Sequence, residues 1–131
     1  MLSASPTTML RPDDQAYLDE HFVWEATVEG GMVCVTIPGY SLAAGLTPAT
    51  TTLLVRLPSG FPDVAPDMFW FSDPVNRYDG TAIPATDVIE PHLARTWQRW
   101  SRHIAGQWRP GTDDLRSYMA YIRSCIQKAA T

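Results

Sequence analysis

The densest chemistry in the chain lies between Thr96 and Arg109, where the residues run TWQRWSRHIAGQWR. Trp97, Trp100 and Trp108 alternate with Arg99, Arg102 and Arg109, and His103 stands among them. Arginine and tryptophan are enriched at binding hot spots, and a basic aromatic cluster can dock a partner protein or a single nucleic-acid strand. The same residues can instead close one end of a core, with guanidinium groups stacked on indoles. For Trp97 and Trp100 the sequence leaves both readings open. Trp108, just ahead of Pro110 and Gly111, reads as packing at the base of a helix. Arg99 and Arg102 would share a face on a helical turn and receive an acidic or carboxylate-terminated partner, with Trp100 as the apolar anchor. The candidate partner-binding residues are therefore Trp97, Arg99, Trp100, Arg102 and His103.

Other reactive side chains give weaker patterns. Cys34 sits between Val33 and Val35 on a strand pattern, and Cys125 follows Ile122 on a helical one. Both read as buried small hydrophobes, since no cation, helix start or histidine stands beside either to favour a thiolate. His21, His92 and His103 have no metal-ligand spacing, and no phosphate loop or nucleophile elbow is present. No metal and no cofactor is expected. Asp63 and Asp67, beside Pro62 and Pro66, read as turn chemistry.

The chain is 131 residues long, and 45% of them are hydrophobic, enough for one core. Its net charge of −4 argues against nucleic-acid binding by the surface as a whole. That charge is unevenly spread. Arg11–Glu29 and Asp63–Glu90 each hold six acids and one arginine, whereas His92–Arg109 holds four arginines and no acid. A break of sign like this marks a surface with a partner. No apolar run reaches the ~20 residues of a membrane span, and Met1–Pro12 lacks the pattern of a secretory signal, so a cytoplasmic location is expected.

These residues must be held by a small set of elements. Residues 1–11 read as a flexible tail, and 12–131 as one domain. Pro12, Asp13 and Asp14 start a short helix to about His21, with Ala16 and Tyr17 inward. Phe22–Glu29 and Met32–Pro38 read as strands joined at Gly30-Gly31. Thr50–Leu57 and Asp67–Phe71 are a third and fourth strand, separated by the proline-broken segment Phe61–Pro66. From Ser72 to Arg95 no period is visible. A last helix, capped by Thr112 and ending near Lys128, carries Leu115, Met119, Ile122 and Ile126 at helical spacing. The class is α+β: a helix, a four-stranded antiparallel meander, a long irregular loop and a C-terminal helix packed over Val33, Val35 and Leu54 or their face-mates.

This order resembles the ubiquitin-conjugating enzyme (UBC) fold. Phe61-Pro62-Asp63-Val64-Ala65-Pro66-Asp67-Met68-Phe69-Trp70 is similar to that family's Tyr-Pro-x-x-Pro-Pro-x-Val-x-Phe. Trp108-Arg109-Pro110 resembles its Trp-Ser-Pro, and Leu115 onward its following helix. LPSGFPDVAPDMFW together with TWQRWSRH and WRPGTDDL is most similar to the bacterial branch called prokaryotic family E. The resemblance implies an operon, with an antiviral-defence setting as part of the expectation, that also encodes a ubiquitin-like modifier, an adenylating activating enzyme and a deconjugating peptidase. Modifier and activating enzyme are the expected partners. The family's active cysteine precedes its Trp-x-Pro, but Arg95–Trp100 supplies none, and Asp73-Pro74-Val75-Asn76 only partly matches the family's His-Pro-Asn. A thioester carrier needs that thiolate. The resemblance therefore implies a non-thioester component that binds modifier or a partner. An atypical conjugating enzyme using His103 is the second reading, and a protein- or single-strand-binding module built on the Trp/Arg cluster is the third.

Overall fold

The computed structural model describes residues 10–131, so residues 1–9 of the expected tail lie outside the described residues. Leu10 is already buried in the core, and Arg11 stands at the N-cap of α1 (Pro12–His21). Proline in the first turn costs no hydrogen bond, and Asp13 and Asp14 face the positive helix end. The inward residues of α1 are Asp14 and Leu18, four apart on one face, rather than Ala16, which is exposed, and Tyr17, which is half-buried. Asp14 Oδ1 accepts a hydrogen bond from Leu115 N at 3.3 Å, joining the chain's first helix to its last.

The strands are β1 (Glu25–Glu29), β2 (Met32–Ser41), β3 (Leu46–Thr47), β4 (Thr50–Leu57), β5 (Phe69–Phe71), β6 (Asn76–Arg77), β7 (Val88–His92) and β8 (Arg95–Trp100). Six of them form one antiparallel sheet in the order β1-β2-β4-β5-β8-β7, and β3 pairs with β6 as a small ladder. The four expected strands are all present, in order. The additions are the small β3–β6 ladder and the β7–β8 hairpin, the latter taking up the end of the stretch expected to be irregular and the Arg95–Trp100 segment. The hairpin's turn, His92–Arg95, uses Leu93 at φ 53° and Ala94 at φ 60°. Two successive left-handed residues match the twist of a tight hairpin, but they are normally glycine or asparagine.

The C-terminal helix α2 spans Leu115–Ala129. Its cap is Asp114 and not Thr112: Asp114 Oδ1 accepts from Ser117 N at 3.1 Å, and Asp114 N donates to Ser117 Oγ at 2.8 Å. That reciprocal pair satisfies two donors that a helix start otherwise leaves orphaned. Leu115, Tyr118, Met119, Ile122 and Ile126 pack with Val35, Ile37, Leu53, Val55, Phe69, Phe71 and Trp100 in the main core. Leu54 points the other way. Side chains alternate across a strand, so Leu54 joins Cys34, Trp70 and Trp97 in a second cluster on the outer face.

The sheet curls until its two edges meet over that outer cluster. Leu93 N donates to Glu29 Oε2 at 2.9 Å, and His92 Nδ1 lies 3.8 Å from Glu29 Oε1. On the far strand Glu90 accepts from Trp70 Nε1 at 2.9 Å and Arg99 at 2.8 Å, with His92 Nε2 at 3.4 Å. Burial pushes the Glu90 carboxyl up, but these donors outweigh it and hold its pKa below the ordinary glutamate value. A depressed carboxyl contributes stability above its unfolded value and loses it as pH falls through the folded one. The hairpin is therefore expected to loosen on acidification below that range, read as faster hydrogen exchange in Val88–Trp100. Glu90→Gln should show the loosened exchange already at neutral pH and flatten this pH dependence.

Candidate functional site

Trp97–His103 leaves the sheet along β8 and then crosses the proline-broken segment before α2. The strand period decides where each side chain goes. Trp97 and Arg99 point to the outer face, and Gln98 and Trp100 to the main core. Trp100 is 0% exposed, between Phe69 at 5.6 Å and Phe71 at 5.4 Å between ring centroids. Trp97 is 1% exposed and donates from Nε1 to the His92 carbonyl at 2.8 Å, with Arg95 over its ring. Both indoles are thus core, and the apolar-anchor role expected for Trp100 has no exposed ring to carry it. Nor do they present a stacking face to a nucleic-acid strand.

Arg99 and Arg102 do not share a face. The helical turn that would have aligned them is a strand followed by an irregular segment. Arg99 is ion-paired with Glu90 on the outer face, whereas Arg102 lies over the Trp100 ring at 5.0 Å and donates to the Pro84 carbonyl at 3.0 Å. The sequence's break of sign becomes cross-strand and cross-segment pairing: Glu90 with Arg99, Glu29 with His92, Asp67 with His103.

That last pair is the exposed chemistry of the site. His103 Nδ1 is 2.6 Å from Asp67 Oδ1, and the two side chains are 61% and 58% exposed. Asp67, taken from sequence as turn chemistry, is the partner that reasoning missed, because it lies 36 residues away across the fold. The backbone around it is firmly placed. Met68, at φ 63°, donates from N to the Arg102 carbonyl and accepts from the Tyr118 hydroxyl at 2.6 Å. Trp108 Nε1 donates to the Pro62 carbonyl at 2.8 Å, and its ring packs on Phe61. Residues Phe61–Met68 are thereby clamped against Arg102–Trp108, with α2 behind.

Both thiols lie inside the fold. Cys34 is buried in the outer-face cluster and Cys125 in α2. Burial pushes the Cys125 thiol up in pKa, against the lowering by the Tyr121 hydrogen bond, Arg102 and Lys128. It stays a protonated thiol at neutral pH. Among the described residues no three His, Cys, Asp or Glu side chains group to hold a metal ion. Among the same residues no helix is long and apolar enough to cross a membrane.

The family model for prokaryotic E2 family E matches residues 10–129, which takes in both helices, every strand and the clamped segment. The chain belongs to prokaryotic E2 family E. Among curated proteins and among solved structures nothing matches it. The family E protein is thus E2-like, with an α+β architecture consistent with the UBC fold. Its Arg95–His103 segment carries two buried indoles, the separated side chains of Arg99 and Arg102, and His103, whose exposed ring pairs with Asp67.

Proposed function

We propose that this family E protein works in a ubiquitin-like modifier pathway as a non-thioester binding component, engaging the modifier or its adenylating activating enzyme. The observation that carries the reading is that both thiols are buried, Cys34 among Leu54, Trp70 and Trp97 of the outer-face cluster and Cys125 in α2. The partner edge is Arg102 and His103, the members of the cluster that are neither fully buried nor consumed by the Glu90 pair. Asp67 orients the imidazole there. The test is binding of the immobilised protein to its activating enzyme and to its modifier. His103→Glu sets a second carboxylate beside Asp67 on an exposed side chain, so the fold stays while binding weakens by about tenfold or more. Arg102→Glu weakens it in the same direction. Unchanged binding in His103→Glu, with an unchanged melting temperature, overturns the assignment of this edge.

The 2.6 Å contact between His103 and Asp67 also favours a second reading, an atypical conjugating enzyme. A carboxylate that fixes an imidazole tautomer equips the other ring nitrogen as a general base. On that reading His103→Gln removes modifier transfer while leaving partner binding in place.

A further inference from the structure

On the side of the molecule where α2 ends, a cleft of about 500 Å³ opens between that helix and the chain around Pro84. Its cations are Arg77, Arg102 and Lys128, and its neutral donors are Gln107, Tyr121 and Ser124. Among the described residues no carboxylate side chain lines it. Arg77 is engaged with neutral acceptors: Nε donates to the Ala129 carbonyl at 2.7 Å and a terminal nitrogen to the Ala82 carbonyl at 2.6 Å. It offsets the negative end of α2, as cations at helix C-termini do. Arg102 uses one terminal nitrogen on the Pro84 and Ser101 carbonyls, at 3.0 and 3.2 Å, which leaves its other donors, and Lys128 is the third cation. Among the described residues neither is ion-paired. The acid that reaches Tyr121 from outside, Asp67, is tied to His103, and Asp79, which feels Arg77, accepts at Oδ1 from Thr81 N and Oγ1. Arg102 and Lys128 line the same cleft wall as Cys125.

Two unneutralised cations with three neutral donors around a concave, partly apolar wall are the ingredients of oxyanion recognition. We propose that this cleft is a binding site for an oxyanion-bearing ligand, a phosphate group or a terminal carboxylate, held by Arg102 and Lys128 with Tyr121, Ser124 and Gln107 as neutral donors. The volume admits more than a bare anion, so the oxyanion is carried on a larger body whose apolar part lies along Pro84 and Ala129. The site shares Arg102 with the partner edge, and its test therefore turns on Lys128, which that edge does not use.

The experiment is an NMR titration of the full chain with two probes, pyrophosphate and a short peptide carrying a free C-terminal carboxylate, the peptide amide serving as its control. Saturable shifts centred on Tyr121, Ser124 and Cys125 are expected with at least one probe. Lys128→Gln, on an exposed side chain, weakens that binding about tenfold without altering the rest of the spectrum. Response to pyrophosphate alone identifies phosphate as the source, and response to the free peptide but not its amide identifies the carboxylate. Absence of saturable shifts with both probes overturns the proposal, as does wild-type binding by Lys128→Gln. Lys128→Gln leaves capture of the activating enzyme at the His103 edge unchanged, so failure of that edge and failure of this cleft are separate results.

Discussion

Trp100→Ala is expected to cost about 3–5 kcal/mol and to leave the domain unfolded or barely folded at ambient temperature. The ring is fully buried between Phe69 and Phe71, and its Nε1 donates to Gln98 Oε1 at 3.1 Å. That same oxygen accepts from Val75 N at 2.8 Å, so the indole also steadies the polar network that seats the chain after β5. Truncation opens a cavity in the main core and removes the surface on which Arg102 rests. Urea unfolding monitored by circular dichroism checks this. A cooperative transition at the wild-type midpoint would mean that Trp100 is not core.

Trp97→Ala is expected to destabilise by about 3 kcal/mol or more, with its effect concentrated on the outer face. Trp97 fills the small cluster with Cys34, Leu54 and Trp70, and its Nε1 is the donor that ties the His92 carbonyl at the hairpin turn. Losing it frees a turn that already holds Leu93 and Ala94 at positive φ. Hydrogen exchange in Val88–Trp100 should accelerate more than exchange in α2. Trp97→Phe, which keeps an aromatic body and loses the hydrogen bond, should cost roughly 1 kcal/mol plus a repacking loss. Equal acceleration in α2 and the hairpin would show that the two clusters are not separable.

Much of this architecture was legible because local chemistry agreed with the fold. Gly30-Gly31 marks the β1–β2 turn, the apolar stripe from Leu115 to Ile126 marks α2, and the residues of β4 were read to their ends. The β7–β8 hairpin was not legible, because His92-Leu93-Ala94-Arg95 contains none of the residues that normally allow two left-handed positions. Without that hairpin, Arg95–Trp100 could not be recognised as a strand, and the spacing of Arg99 and Arg102 suggested a helical face that strand alternation forbids. The choice between core and interface for Trp97 and Trp100 depends on the same missing element. Asp67 went unrecognised for another reason: its pairing with His103 is set by the crossing of two irregular segments, and no local pattern encodes it.

The non-thioester role proposed for this family E protein has a direct consequence for its thiols. The direct measurement is incubation with the modifier, the activating enzyme and ATP, followed by a non-reducing gel of the wild type beside a Cys34→Ser/Cys125→Ser variant. No thiol-labile adduct is expected in either lane, while both proteins bind the activating enzyme or modifier equally. A modifier-linked band that disappears with reductant and with the double substitution would contradict it.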